Sequence, residues 1–291
     1  MTGDTIPAPV ASATLDAIDA RIVTPDYDRA ALRHSVVHIG VGGFHRSHLA
    51  TYVDDLCRTG STDWAIVGAG LLAGDRRMRD ALAAQDYLYT LISRGATDVE
   101  VSIIGSIVDF IIADDDTTPL THAIADADTQ ILSLTVTEGG YPVDDRSGDF
   151  VPAASQPDGV FSVIARGLAA RREGCGTPMT ILSCDNIPEN GHVTRQALER
   201  LAALISHDLR DWVASSVAFP NSMVDRITPA TSEGKRAMVA ETFGINDAAP
   251  VVCEPFSQWV MEDNFPLGRP ALEKVGVQFV PDILPFETMK L

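Results

Sequence analysis

The chain has 291 residues, 45% of them hydrophobic and 21% charged, a composition that can bury a large core in one or two globular domains. Its 40 acidic residues outnumber its 22 basic residues, and the net charge of −18 argues against nucleic acids and anionic membranes as partners. The longest apolar stretch, residues 101–113, contains Asp109 and is shorter than the ~20 residues that cross a bilayer; with no export signal visible, we expect a cytoplasmic protein.

Short apolar runs rich in β-branched residues alternate with amphipathic stretches from Ser35 onward, after an N-terminal arm at residues 1–33 that lacks periodicity. This alternation predicts an α/β fold in which crossover helices flank a largely parallel sheet. The predicted strands are residues 35–41, 64–69, 130–137, 179–183, 251–253 and 277–280. The predicted helices are residues 48–59, 74–84 and 163–172.

The end of the chain has an unusual pattern. Residues 285–291 begin what looks like a helix and then stop, and a helix of about one turn rarely stands alone. We therefore expect residues 34–284 to form a first domain and residues 285–291 to begin a C-terminal domain that is missing from this chain.

A glycine-rich turn follows the first predicted strand, in the sequence His38-Ile-Gly-Val-Gly-Gly-Phe-His-Arg-Ser-His48. A strand, a glycine turn and a helix in this order are the context of a dinucleotide-binding fingerprint. Gly40 would permit the tight turn and Gly42 the close approach of the backbone to a pyrophosphate. His45 occupies the third glycine position, which leaves an ordinary strand-to-helix turn as the alternative. The Arg46 guanidinium could pair with a phosphate.

An acidic residue beyond the second strand normally holds the adenosine ribose hydroxyls, about 20 residues after the glycines. Asp75 is the candidate here, although it lies later in the chain. Its carboxylate favours NAD because it repels the 2′-phosphate of NADP. Arg76 and Arg77 weaken this preference, since either could receive that phosphate, so NADP is not excluded. All three residues could instead simply begin a solvated helix.

The sequence does not predict a metal site. His45 and His48 lie three residues apart with Asp54 nearby, but no third ligand has a suitable spacing. The four cysteines form no CxxC pair, which argues against a thiolate zinc site.

Five blocks between Ser35 and Leu291 resemble the mannitol dehydrogenase family, the long-chain polyol-specific dehydrogenases and reductases. The blocks are residues 38–48, 134–141, 183–191, 219–229 and 253–259, and the fourth, Phe219-Pro-Asn-Ser-Met-Val-Asp-Arg-Ile-Thr-Pro229, looks like the family signature. The resemblance implies a Rossmann-type N-terminal domain, a helical C-terminal domain that this chain lacks, and metal-free hydride transfer between NAD and a polyol or ketose in the cleft between the two domains.

The resemblance also implies the residues of the site. The cofactor-binding residues would be Gly40, Val41, Gly42, Gly43, Phe44, Arg46, Asp75 and Glu138. Asn186 would donate its amide N–H to the substrate oxygen as negative charge develops there. An asparagine that caps the turn before Pro188 is the structural alternative.

Lys290 would be the base that removes the hydroxyl proton of the polyol. Its pKa, ordinarily ~10.4, would be lowered by burial and by the positive nicotinamide ring. Glu287 precedes it by three residues and would relay a proton to solvent or form a surface ion pair. Val224 and Asp225 in the signature block would line the cleft, with structural roles as the alternative.

The glycine turn and the block at residues 137–141 are closer to the mannitol-oxidising branch, which implies interconversion of D-mannitol and D-fructose. Fructuronate or tagaturonate reduction and arabinitol or sorbitol oxidation are alternatives within the family. A non-catalytic cofactor-binding fragment is the alternative outside enzymes. In the family, a second oxyanion asparagine and an orienting histidine follow the lysine, beyond Leu291, so we expect at most trace activity from this chain and exposed apolar surface facing the missing domain.

Overall fold

The computed structural model describes residues 8–142, 151 and 156–290, with the backbone alone for Ala8, Met289 and Lys290. The strands in these ranges are β1 (Ala8–Pro9), β2 (Val36–Ile39), β3 (Ile66–Gly70), β4 (Tyr89–Arg94), β5 (Val99–Ile104), β6 (Ile107–Ile112), β7 (Ile131–Leu134), β8 (Met179–Ser183), β9 (Val217–Ala218), β10 (Ser222–Asp225), β11 (Ile245–Asn246), β12 (Val251–Cys253), β13 (Gln258–Glu262) and β14 (Gln278–Val280). The helices are α1 (Gly43–Ser47), α2 (Leu49–Arg58), α3 (Asp75–Ala83), α4 (Thr118–Ala125), α5 (Val160–Glu173), α6 (Asn190–Ile205), α7 (His207–Ser216), α8 (Glu233–Phe243) and α9 (Leu284–Lys290).

Six parallel strands form the central sheet, in the order β6-β3-β2-β7-β8-β9. The chain leaves β2 for β3 on one side and returns to β7 on the other, which makes β2 the point where the strand order reverses. Every residue of β2, β3, β7 and β8 is buried, as expected for a parallel sheet covered on both faces. The α/β, Rossmann-type fold is therefore confirmed.

Alternating side chains of the sheet enter two different cores. Val36 of β2 belongs to a buried cluster with α2, whereas its neighbour Val37 belongs to a second cluster with α4, α5, α6 and α7. Within the described ranges, no helix combines the length and the apolar character that crossing a membrane requires. Helix α2 was predicted at residues 48–59, and its apolar face packs as its periodicity indicates.

Two strands that the sequence predicts correctly do not belong to the parallel sheet. β12 pairs in parallel with β4, and β4 pairs antiparallel with β5, in a separate three-stranded sheet. β14 pairs in parallel with β13, which pairs antiparallel with β10. The sequence did not distinguish these two strands from those of the central sheet, because an apolar run indicates that a strand is buried but not which strand lies beside it.

The described part of the N-terminal arm packs against the three-stranded sheet of β12, β4 and β5, the second sheet. β1 pairs with β11, and the arm contributes Val10, Ile18 and Ile22 to a buried cluster with Ile92 and Ile103 of β4 and β5. The helical turns of the arm are short 3₁₀ turns. The arm is thus held by apolar contacts as well as by its backbone.

The buried carboxylate of Asp54 on α2 joins the arm to the turn between β5 of the second sheet and β6 of the central sheet. It accepts hydrogen bonds from the Tyr27 hydroxyl, from Arg58 Nε at 2.8 Å and from the Gly105 N–H at 2.7 Å. Arg58 also donates to the carbonyl oxygens of Thr24 and Ile103. Burial raises the pKa of Asp54, while Arg58 and the hydrogen bonds oppose this rise. The ion pair is thus completed by hydrogen bonds on both partners, which offset its desolvation.

Replacing Asp54 with alanine is expected to lower the free energy of unfolding by about 3–5 kcal/mol, because Arg58 would stay largely buried without its partner. Urea denaturation followed by circular dichroism measures this loss. Asp19→Ala is the control, because Asp19 pairs with Arg21 at the exposed surface, where no measurable change is expected. An equal effect of the two substitutions would contradict the structural role of Asp54.

Candidate functional site

Four loops meet at the carboxyl edge of the central sheet, where parallel α/β proteins bind their ligands. They follow β2, β3, β7 and β8 and comprise residues 40–43, 71–75, 135–140 and 184–189. The loops after β2 and β7 flank the position where the strand order reverses. Of the predicted cofactor-binding and oxyanion residues, all except Phe44 and Arg46 on α1 therefore lie on this edge.

Gly40 and the backbone of β7 approach each other closely enough that only glycine fits the turn. Gly40 has a φ of +100°, and a Cβ atom built on it would lie 2.2 Å from the Thr135 carbonyl oxygen. Gly42 immediately precedes α1 in an extended conformation, and the nearest atom to a Cβ built there is 4.0 Å away. The backbone at Gly42 thus has an open side, which is the space that a pyrophosphate would need.

The other predicted residues at this turn, Val41, Gly43 and Phe44, shape its backbone or pack against neighbouring residues. Val41 is buried, and its side chain packs toward Gly68 of β3. Gly43 begins α1 beside Thr228. Phe44 stacks on His48 with ring centroids 4.9 Å apart.

Buried polar side chains support the turn from below. The Thr135 hydroxyl donates to the Gly40 carbonyl oxygen at 2.7 Å and accepts from His38 Nε2 at 2.9 Å, so Nδ1 of His38 accepts from the Ser133 hydroxyl at 2.8 Å. The His45 ring stacks on His38 with centroids 3.5 Å apart. His45 thus occupies the third glycine position as a packing residue between helix and strand. The sequence analysis assigned no role to His38 or Thr135.

Both imidazoles are fully buried, and desolvation dominates their titration. Burial lowers the pKa of His38 from 6.5 to about 3. Burial, with His38 and Arg46 nearby, holds the pKa of His45 well below its ordinary value. Both rings are therefore neutral at physiological pH.

The structure corrects the role predicted for Arg46. Its guanidinium is 3% exposed, donates to the Ala249 carbonyl oxygen and lies over the Tyr89 ring at 5.4 Å. The Tyr89 hydroxyl in turn donates to the Arg46 carbonyl oxygen at 2.6 Å. The side chain therefore ties α1 to the second sheet and does not face the turn, so a phosphate contact is not its role here.

Residues of the signature block also contribute more to the interior of the fold than predicted. Val224 of β10 is 4% exposed and lies in the same buried cluster as Trp259, its partner across the sheet, so its side chain does not line a cleft. Asp225 is half-buried at the end of β10. Arg226 donates to the carbonyl oxygens of Glu254 at 3.1 Å and Ser47 at 2.5 Å, which ties the end of the signature block to α1 and to the segment after β12.

Asp75 lies beyond the carboxyl end of β3, at the position predicted for an adenosine ribose. It is the first residue of α3, and its carboxylate folds back to accept the Leu72 N–H at 2.9 Å. A Cβ built on Gly70 would lie 2.6 Å from its Oδ2 atom, so the carboxylate covers the last residue of the strand. Arg76 is ion-paired with Asp114 and Asp115 on the neighbouring loop, which reduces its availability for a 2′-phosphate.

The loops after β7 and β8 carry Glu138 and Asn186, and both residues are exposed. Between them, the buried Asp185 accepts the Thr137 N–H at 2.8 Å and the Tyr141 hydroxyl at 2.9 Å. Burial raises the pKa of Asp185, and the N–H groups of Thr137 and Val136 oppose the rise. Sequence reasoning gave Asp185 no role, although an acid beside the predicted oxyanion residue was a signal that could have suggested one.

Helix α9 is attached to the loop after β8. The Glu287 carboxylate accepts the Glu189 N–H at 3.2 Å, and Glu189 itself has a φ of +49°. Lys290 is the last residue of α9, and its side chain lies outside the described part of the structure. The predicted base is thus on a helix whose first turn contacts the loop that carries Asn186.

The structure also places the residues considered as metal ligands. Asp54 pairs with Arg58, and His48 Nε2 lies 2.9 Å from the Gln258 carbonyl oxygen. In the ranges that the structure describes, no three His, Cys, Asp or Glu side chains are arranged to hold a metal ion.

Residues 34–274 match the family profile of the mannitol dehydrogenase Rossmann domain. The chain is 50% identical over 281 residues to the mannitol 2-dehydrogenase of Cereibacter sphaeroides, a match that covers 93% of this chain and 58% of that protein. A solved structure of Pseudomonas fluorescens mannitol 2-dehydrogenase in a ternary complex with NAD and D-mannitol superimposes with a TM-score of 0.94 at 48% identity, over 97% of this chain and 60% of the other. Substrate-free D-sorbitol dehydrogenase superimposes at 0.91 with 35% identity and the same coverage. The chain thus spans less than two thirds of the length of these relatives.

Replacing Gly40 with alanine is expected to destroy the turn, because the new Cβ would overlap the Thr135 carbonyl oxygen. Binding of NADH, followed by its fluorescence, should be lost. Gly60→Ala is the matched control, because Gly60 has a φ of +94° with no atom within 4 Å of a Cβ built there. That variant should lose only about 1–2 kcal/mol of stability and keep its binding. If both variants behave alike, φ strain and not the contact with β7 explains Gly40.

The buried histidines are expected to make stability depend on pH. Because the folded pKa values lie below those of the unfolded chain, the unfolded chain binds more protons, and stability falls as the pH decreases below 6.5 toward 3. His45→Phe keeps a ring on His38 and should make this decrease smaller by about 1.4 kcal/mol between pH 7.5 and 5.5, because a histidine of the unfolded chain titrates in the middle of that range. Urea denaturation between pH 7.5 and 5.5 measures the slope. The exposed His207→Phe should leave it unchanged, and an unchanged slope in His45→Phe would show that His45 does not titrate as proposed.

Proposed function

Because the chain belongs to the mannitol dehydrogenase family, we propose that it binds NAD and serves hydride transfer between that dinucleotide and a polyol or its ketose, without a metal. The observation that carries the proposal is the glycine turn at Gly40 and Gly42, which leaves open backbone at the point where the strand order reverses. The same region of a relative at 48% identity belongs to a complex with NAD and D-mannitol, which supports this assignment.

The residues of this chain fit a dinucleotide. The close contact between Gly40 and β7 leaves a cradle at Gly42 that a side chain at Gly40 would destroy. Asp75 offers its carboxylate at the end of β3, as an acceptor for ribose hydroxyls. The ion pairs of Arg76 with Asp114 and Asp115 favour NAD over NADP, because they occupy a cation that a 2′-phosphate would need.

NAD, when bound, supplies the carbon that accepts the hydride of the polyol. We propose that the other groups come from the loop after β8 and from α9. Asn186 would donate an N–H to the substrate oxygen, and Lys290 would take the hydroxyl proton. Glu287 would hold α9 against this loop through the Glu189 N–H, and its half-buried carboxylate would also be able to pass a proton to solvent.

We propose D-mannitol and D-fructose as the substrate pair, because identity to mannitol 2-dehydrogenases reaches 50%, against 35% for the D-sorbitol dehydrogenase. Sorbitol or arabinitol oxidation and fructuronate reduction are the alternatives, and a panel of these substrates distinguishes them. The chain spans less than two thirds of these relatives, so coenzyme binding is the part of this function that its own residues support directly. A cofactor-binding fragment without turnover is the second candidate.

Titration of the chain with NADH and with NADPH tests the proposal. NADH should bind more tightly, and Asp75→Ser should weaken NADH binding by about tenfold or more, because hydrogen bonds to a charged group are lost. Asp80→Ser, on the exposed face of the same helix, is the control and should bind NADH like the unchanged chain. Absence of NADH binding by the folded chain would refute the proposed function. Equal affinity for both dinucleotides would refute the preference for NAD alone.

A further inference from the structure

We propose that Asp185 is a positioning residue that holds the loop after β7 in the conformation that coenzyme binding requires. The inference rests on the proposed function, since it assumes that Glu138 on this loop faces the coenzyme. It concerns a buried side chain that would act through the backbone of this loop.

The Asp185 carboxylate links two neighbouring strands. Asp185 follows β8 and is 7% exposed. Its Oδ1 atom accepts the Thr137 N–H at 2.8 Å, and its Oδ2 atom accepts the Val136 N–H at 3.2 Å and the Tyr141 hydroxyl at 2.9 Å. All three donors belong to the segment after β7, so one buried group determines the path of that segment.

The segment needs such a restraint because its backbone is strained. Thr137 has a φ of +64° and a ψ of 165°, a conformation that costs a β-branched residue about 1–3 kcal/mol. The shortest hydrogen bond of Asp185, at 2.8 Å, is made to the N–H of this same residue. Glu138 follows directly and begins a 3₁₀ turn, so its position depends on whether Thr137 keeps its strained conformation.

The backbone of Asp185 is held independently of its carboxylate. Asn190 Nδ2 donates to the Asp185 carbonyl oxygen at 3.0 Å and to that of Ser222 at 2.7 Å, and Asn190 Oδ1 accepts the Ser222 N–H at 2.9 Å. Removing the carboxylate should therefore release the loop after β7 while the loop that carries Asn186 stays in place. This separation makes the effect of Asp185 measurable.

A carboxylate suits this position better than an amide does. Two backbone N–H groups and one hydroxyl converge on it, and the oxygens of a carboxylate can accept from all three. In Asp185→Asn, the amide NH₂ would face a donor, so at least one backbone N–H would lose its acceptor. The volume of the side chain is retained, which limits other changes.

The chain contains a matched control, Asp247. It is 5% exposed and accepts the Thr90 N–H at 2.5 Å, the Ala249 N–H at 2.7 Å and Gln85 Nε2 at 2.8 Å. It therefore resembles Asp185 in burial and in its two backbone donors, but it supports the second sheet. Asp247→Asn should destabilise the protein to a similar degree without acting on the loop after β7.

The experiment measures NADH affinity by fluorescence and hydrogen exchange at the Thr137 amide in the complete chain. Asp185→Asn is expected to weaken NADH binding by about tenfold or more and to accelerate exchange at Thr137. Asp247→Asn should leave the affinity within about twofold and the exchange unchanged. Tyr141→Phe removes a third donor but leaves Thr137 attached, and it should also bind NADH nearly normally.

A rescue distinguishes positioning from general destabilisation. Glycine adopts a positive φ without strain, so Thr137→Gly combined with Asp185→Asn should recover most of the lost affinity. If Asp185→Asn does not fold, this double variant is compared with Thr137→Gly alone, and nearly equal NADH affinity is expected. Wild-type affinity and exchange in a folded Asp185→Asn, or no recovery in the double variant, would overturn the inference. If the unchanged chain does not bind NADH, the proposed function fails, and exchange at Thr137 still decides whether Asp185 restrains the loop.

Discussion

The close contact between the turn after β2 and the backbone after β7 is the constraint on which the site depends. At Gly40 the two segments approach so closely that a Cβ atom would lie 2.2 Å from the Thr135 carbonyl oxygen. This contact keeps the space next to Gly42 free of side chains while the Thr135 hydroxyl and His38 hold the turn in place. The proposed site for a phosphate-bearing ligand therefore depends on packing between the turn after β2 and the segment after β7, and it requires no charged side chain at the turn.

The polar groups around this contact form a supporting layer that water does not reach. His38, His45, Arg46 and Asp185 are all at most 7% exposed, and most of their hydrogen bonds join different segments of the chain. Burying such groups is unfavourable unless they are hydrogen-bonded, so each completed network strongly favours one arrangement of the loops. Two of these side chains are incompletely bonded in the described structure: Arg46 Nε has no hydrogen-bond partner, and neither ring nitrogen of His45 has one, although the His45 ring stacks on His38.

Buried charged side chains also hold the arm and the smaller sheets to the central sheet. Asp54 connects the arm, α2 and the turn between β5 and β6, while Arg46 and Arg226 donate to carbonyl oxygens of distant segments. Arg46 and Asp54 lie on α1 and α2, the helices that follow the glycine turn, and Arg226 donates to Ser47 of α1. Their charges therefore serve the assembly of the fold, whereas the proposed site would use the half-buried Asp75 and the exposed Glu138 and Asn186 at the edge of the sheet.

Local pattern was sufficient to predict the strand, turn and helix at residues 35–59, the strands at 179–183 and 251–253, and the glycine positions, because alternation, helical periodicity and a glycine turn are properties of neighbouring residues. The acidic residue expected after the second strand pointed to Asp75, and the family blocks added Asn186; the structure places both at the carboxyl edge of the sheet. Only the tertiary structure decided that Arg46 and Val224 point into the interior, that β12 pairs with β4, and that Asp185 holds Thr137. Those facts depend on contacts between residues far apart in the chain, and a side chain's direction is chosen by the packing around it and not by its sequence neighbours.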